Sequence, residues 1–440
     1  MSVYFGLSAG LQLLDVSSFS VMLESNKFTS CTVLNSVIGG NAYGGAVSLY
    51  IGGYSSVYML HNTSVAAVGD TMVRNVNVTL DAAEFVSCSS RRAKMRNDDV
   101  LGASVYGGSF SFYVGAYAWS YGNRTRLFDI ISTCGATNVS NVDVRILNVI
   151  SNHSSALQAS SGTESCGTHS YGGSMSVLYI GAYAFSRNTG FSRSSSSTCG
   201  ATSVKLVSVL VNNADCFNCS ALSSSSHSSR GANTYGGSMS VLHVGAHSMS
   251  ASPATHSTSG SSSSSCGATS AREVSVSVSD SDCFNCSAFV ASTFHGYADD
   301  SSYGANAYGG SMSVLYVGAY SWSRSYSTSI NSHSSCGATN ASVMTVHVSN
   351  SNCYHCSAST SGGLSYGANA YGGSISAAYI GAFAYSFAFR GDIHHFSNSR
   401  VETTHVETLS ITINNATVNN SQAISGERCC AECMNSNAIS

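Results

Sequence analysis

The chain has 440 residues, 18 basic against 21 acidic, for a net charge of −3, and only 9% of its residues are charged. Such a balance excludes broad neutralisation of a nucleic-acid backbone, and so few charges leave little material for solvated helix faces. With 43% hydrophobic and 10% aromatic residues beside a single proline, the chain can nevertheless build a core, mainly from strands.

In chain order, the opening Met1-Ser-Val-Tyr-Phe-Gly6 aligns with Val47-Ser-Leu-Tyr-Ile-Gly52 and with Phe110-Ser-Phe-Tyr-Val-Gly115. The chain therefore opens inside a repeat, and its true beginning is expected to lie upstream; residues 1–10 make a poor signal peptide. One phrase, Tyr-Gly-Gly followed by small and apolar residues, starts at Tyr43, Tyr106, Tyr171, Tyr235, Tyr308 and Tyr371, at intervals of 63, 65, 64, 73 and 63 residues. A near-constant period in a strand-rich sequence predicts a solenoid or a propeller. No Asn-Gly or Asp-Gly pair separates the strands as hairpins of a propeller blade would require, so a parallel β-helix is the better fit. Stacked coils would align the six tyrosines as one ladder.

Two cysteine landmarks keep step with the tyrosines. Cys-Gly-Ala-Thr begins at Cys134, Cys199, Cys266 and Cys336, and Cys-x-x-Cys occupies Cys216/Cys219, Cys283/Cys286 and Cys353/Cys356, with Cys31 and Cys88 at the second position only. Before the pairs run alternating segments such as Val274–Ser279, which read as strands with one buried face. Serine runs such as Ser194–Ser197 and Ser261–Ser265 read as loops. Three strands per long-looped coil are expected, with one or two coils per period both open. Residues 1–428 form a single continuous solenoid of about six to seven repeats on this reading. Residues 429–440 make a separate cysteine-containing segment with Cys429, Cys430 and Cys433.

The Gly-Gly strand start, paired with a later strand such as Val348-Ser-Asn-Ser-Asn-Cys-Tyr-His-Cys-Ser-Ala358, resembles right-handed parallel β-helix proteins of the pectin-lyase-like fold. It is most similar to adhesin-type surface repeats, including polymorphic outer-membrane proteins of bacteria and Ser-rich surface proteins of algae and protists. The resemblance implies an all-β, right-handed parallel β-helix with long Ser-rich loops. The repeat and the absence of a convergent polar site point to a non-catalytic extracellular or cell-surface role, structural or adhesive; the partner is unknown, with carbohydrate or neighbouring surface proteins as candidates.

Sixteen cysteines and ten Asn-x-Ser/Thr sequons support an oxidising, extracellular setting. The sequons are Asn62, Asn77, Asn123, Asn138, Asn152, Asn218, Asn285, Asn340, Asn415 and Asn419. Stacked cysteines are read as structural disulfides or buried stacked thiols, with zinc and redox chemistry behind, and reduction is expected to lower the melting temperature without adding or removing metal. The alternative function is a polysaccharide lyase or hydrolase, which needs clustered carboxylates or a basic residue facing a groove. The candidates, Asp98-Asp99, Asp299-Asp300 and the basic run Arg91-Arg92-Ala-Lys94-Met-Arg96, read better as solvated loop residues. The histidines His243, His247, His347, His355, His394, His395 and His405 fall on repeat positions held elsewhere by Tyr, Val or Asn and read as structural. A third use, ice or mineral binding by an exposed face, would draw on Thr137, Thr202, Thr269 and Thr339, but one Thr per repeat gives a single file and not a lattice. No catalytic residue, metal, cofactor, nucleic-acid partner or membrane span is expected.

Overall fold

The computed structural model describes residues 1–8, 13–35, 42–59, 64–92, 100–101, 105–122, 129–159, 164–166, 169–188, 194–225, 228–230, 233–252, 260–292, 301–303, 306–325, 330–361, 364–366, 369–371, 374–390, 393–394 and 397–424. These residues contain strands and no helix, and nearly all strand pairs are parallel; Phe383–Arg390 with Ile393–His394 is an antiparallel exception. The fold is a parallel β-solenoid.

One coil shows the plan. Sheet I takes the strand Thr137–Asn152, sheet II Ser155–Ala159, sheet III Glu164–Cys166 and sheet IV His169–Tyr171. Sheet V takes Met175–Ile180 and Tyr183–Asn188 as two leaves, and sheet VI takes Ser195–Cys199, after which Thr202–Phe217 begins the next coil in sheet I. Pairing joins each position to its equivalent one period later: Tyr106 lies against Tyr171, Tyr171 against Tyr235, and Cys199 against Cys266. One period is therefore one coil, and it is built from six sheets rather than the three strands expected.

Corners are made where the backbone can turn. Between sheets I and II stands a column of left-handed residues, His153, Asn218, Asn285 and His355, with φ of 53° to 56° where a residue with a short polar or ring side chain is tolerated. The two leaves of sheet V diverge from the one long strand Val47–Met59. In later coils a glycine separates them, and at Gly181 a Cβ would overlap the carbonyl of Gly245 in the next coil.

The serine runs are strands, a correction to the loop reading: Ser195–Cys199 and Gly260–Cys266 belong to sheet VI. Alternate serines point inward, and several meet serines of the second leaf: Ser197 Oγ donates to Ser186 Oγ at 2.9 Å and Ser250 pairs with Ser262 at 3.0 Å. Burial of an hydroxyl is tolerated when it is hydrogen-bonded, so a polar run can act as a core strand if the facing strand is also serine.

Candidate functional site

Three interior compartments hold the side chains singled out from the sequence. The first lies between sheet I and the first leaf of sheet V. Its aliphatic columns, such as Val78, Val144, Val209, Val276 and Val346, pack with Met175, Met239 and Met312. Into its corner point the thiols of Cys216, Cys219, Cys283, Cys286, Cys353 and Cys356, all fully buried. Cys216 stacks in register on Cys283 and Cys283 on Cys353, and thiol contacts also cross each Cys-x-x-Cys pair. Cys88 lies in the same compartment, Cys31 is half-buried against it, and both belong to the row of Cys219.

All the described cysteines with placed side chains are free thiols. The alternative of disulfides between coils meets a geometric obstacle: residues related by one parallel step of about 4.8 Å keep that spacing at Cβ too, beyond the ~3.5–4.5 Å a disulfide spans. Burial pushes the Cys286 thiol up, and it pushes Cys88 up to about 11. Among the described residues no group of three or more His, Cys, Asp or Glu side chains is arranged to hold a metal ion.

The second compartment, between the second leaf of sheet V and sheet VI, holds Cys134, Cys199, Cys266 and Cys336 in one register column beside alanines and the paired serines. Each thiol donates to a carbonyl of the facing leaf, Cys199 to His247 O and Cys266 to Tyr320 O, both at 3.0 Å. Thr137, Thr202, Thr269 and Thr339 are fully buried, which overturns the ice- or mineral-binding file. The first residue after each Gly-Ala corner turns its side chain inward.

The third compartment is aromatic. Tyr43, Tyr106, Tyr171, Tyr235 and Tyr308 form the ladder predicted, with ring centroids 4.8 or 4.9 Å apart and nearly parallel planes. Tyr371 continues the register, its side chain outside the described residues. A second column, Tyr50, Tyr113, Tyr179, His243, Tyr316 and Tyr379, stacks at 4.3 to 5.0 Å and meets the first edge-on. In it, Tyr113 Oη donates to Gly181 O at 3.0 Å and Tyr179 Oη to Gly245 O at 3.3 Å, tying each ring to the glycine of the next coil. A third column on the second leaf runs Tyr54, Tyr117, Tyr183, His247, Tyr320 and Phe383. Sequence reasoning did not assemble either column, although in most repeats the apolar stretch after Tyr-Gly-Gly carries a tyrosine on each side of its glycine, as Tyr316 and Tyr320 flank Gly318. One residue inserted from Met175 onward hid the second column; it emerges as a bulge in the pairing of Phe110–Val114 with Met175–Ile180.

On the outside, Asn77, Asn340 and Asn415 are exposed and Asn138 is half-buried, all on sheet I or its corner. Asn62, Asn123, Asp98, Asp99, Asp299, Asp300, Lys94, Arg96, His395, Cys429, Cys430 and Cys433 lie outside the described residues. Arg91 is exposed on sheet II.

No protein-family model, no curated protein and no solved structure matches the chain.

Proposed function

We propose that the chain is a non-catalytic structural or adhesive module of a cell surface or extracellular matrix, a parallel β-helix of the pectin-lyase-like, adhesin-type kind. The observation that supports this reading most is how the inward side chains are spent. Tyrosines, thiols, serines and aliphatics alike contact their equivalents one coil away, so the described interior is committed to stacking coils. Such a solenoid gives length and a repeated outer face, which suits attachment to extended partners such as carbohydrate or neighbouring surface proteins. The exposed Asn77, Asn340 and Asn415 of sheet I and its corner are the places where glycans would project from that face.

The test is a secreted preparation from a glycosylating host. It is assayed for binding to a panel of neutral and uronate glycans and for release of reducing or unsaturated ends, with and without Ca²⁺. Retention on a glycan without release supports the proposal. Turnover would overturn it in favour of a polysaccharide-active enzyme. Absence of any N-glycan on the secreted chain, read by the mobility change on enzymatic deglycosylation, would count against the extracellular placement.

A further inference from the structure

At one level of the aromatic compartment the tyrosine columns give way to three fully buried histidines. His243 replaces a tyrosine in the second column and His247 in the third, while His169, on sheet IV one coil earlier, stands in register with Asn233. The rings form a hydrogen-bonded row: His243 Nε2 is 2.9 Å from His247 Nε2, and His247 Nδ1 is 3.0 Å from His169 Nε2. The far end is fixed by the main chain, since the amide of Asn233 donates to His169 Nδ1 at 3.1 Å.

That amide assigns every proton in the neutral row. With Nδ1 of His169 accepting, its proton is on Nε2 and is donated to His247 Nδ1. His247 then carries its proton on Nε2 and donates it to His243 Nε2, and the proton of His243 is left on Nδ1. There it is buried without a hydrogen-bond partner among the described residues. A metal ion bridging His243 and His247 would need lone pairs on both Nε2 atoms. It would force a proton onto His247 Nδ1, against the N–H of His169, so the row is not a metal site.

The same reasoning shows what a further proton does. All three lone pairs of the row are already accepting, so protonating any ring replaces an acceptor with a donor and sets two N–H groups face to face. The groups around the row are Tyr171 and Tyr235 of sheet IV, Tyr179 and Tyr316 of the first leaf, and Tyr183 and Tyr320 of the second. From sheet VI comes the Cys199 thiol, on the carbonyl of His247. None of these is a carboxylate that could balance an imidazolium.

We propose that the His169–His247–His243 row is an acid-sensitive joint, at which the solenoid opens on protonation while the tyrosine-stacked coils on either side stay closed. Burial and the neighbouring imidazoles hold His169 and His243 well below the ordinary histidine range, and burial lowers His247 to about 3. Because the folded values lie below the unfolded value of about 6.5, the opened state binds more protons as pH falls. The contribution is complete above pH ~6.5 and is lost downward through the window to the folded values, at about tenfold in the opening equilibrium per histidine per pH unit.

The test compares the natural chain with the variant H169N/H243Y/H247Y, which restores to each position the residue that its column carries in neighbouring coils. Melting temperature is followed from pH 7.5 to 4.5. A fall on acidification that is steep in the natural chain and much shallower in the variant is expected, since all other titrating groups are common to both. Equal slopes would overturn the joint. If the variant does not fold, amide hydrogen exchange of the natural chain, corrected for its intrinsic pH dependence, decides. Protection lost first in Met239–Val244 and His247–Ser252 supports the proposal, and uniform loss along the leaves sinks it.

Discussion

The thiol-bearing corner and the aromatic compartment lie in the same coils, are both fully buried in the middle coils and follow opposite rules. In the corner, one register column reads Phe28, Phe85, Ser151, Cys216, Cys283, Cys353 and Val418. Large, small, polar and apolar side chains succeed one another without breaking the pairing. In the aromatic compartment the second column keeps a ring in every coil from Tyr50 to Tyr379, and the one change of residue, His243, preserves a flat ring between Tyr179 and Tyr316 at 4.7 and 4.3 Å. The corner asks only that volume be filled and polar atoms be satisfied. The aromatic columns also ask for a flat face on both sides and, for Tyr113 and Tyr179, a hydroxyl that reaches a glycine carbonyl of the next coil.

The glycine at the junction of the leaves offers the strongest way to break that arrangement. At Gly181 φ is 156°, and a Cβ there would overlap the Gly245 carbonyl, which is main chain and cannot swing aside. Gly181→Ala is expected to cost at least about 4 kcal/mol, in the range of strain at a special backbone position combined with core overpacking. Chemical denaturation checks this, and a loss below about 1 kcal/mol would mean the leaves can slide apart freely.

Next in size comes removal of a ring. Tyr179→Ala empties a stacked site between Tyr113 and His243 and is expected to cost about 3–5 kcal/mol. Tyr179→Phe keeps the ring and removes only the hydroxyl bonded to Gly245 O, for about 1–2 kcal/mol. Equal losses in the two variants would show that the hydroxyl, and not the stack, carries the column.

How far these rules were legible depends on where a residue sits relative to the repeat phrase. The first tyrosine ladder was readable because Tyr-Gly-Gly fixes its register without a count through variable sequence. The cysteine columns were readable for the same reason, with Cys-Gly-Ala-Thr and Cys-x-x-Cys as markers. Thr137 and its equivalents were misplaced on the surface because the alternation of a strand does not carry through a corner, where one residue re-aims every side chain after it. The histidine row was out of reach. His243 and His247 are four residues apart, but His169 joins them only because sheet IV folds over both leaves, a relation with no trace in local spacing.

A smaller effect is expected in the corner. Cys286 donates to the carbonyls of Cys216 and Phe284, at 3.7 and 3.5 Å, and the serine of Cys286→Ser can use the same acceptors. The column itself already carries Ser154 between Cys88 and Cys219. Cys286→Ser is therefore expected to cost about 1 kcal/mol, well below the loss at Tyr179, and a cost as large as that of Tyr179→Ala would erase the distinction between the compartments.

The smallest expected effect concerns reduction, and here the free thiols correct the sequence expectation of a lowered melting temperature. Had bridges formed between coils, breaking them would release loops of more than sixty residues and remove roughly 2–4 kcal/mol each, a change easily seen as a lower melting temperature. The described thiols are free and stacked at the parallel repeat and, half-buried Cys31 apart, they are buried, so a reductant has nothing to cleave and an alkylating reagent can reach only Cys31 among them. Melting with and without reductant should coincide for a chain ending at residue 424, which removes Cys429, Cys430 and Cys433 from the comparison. The folded chain should also leave Cys88 unlabelled at pH ~8.5, where an ordinary exposed thiol is half ionised and reacts, because burial holds this one up at about 11. Labelling of Cys88 at the rate of a free thiol, or a clear drop in melting temperature on reduction, would show that the corner is looser or more oxidised than its stacking requires.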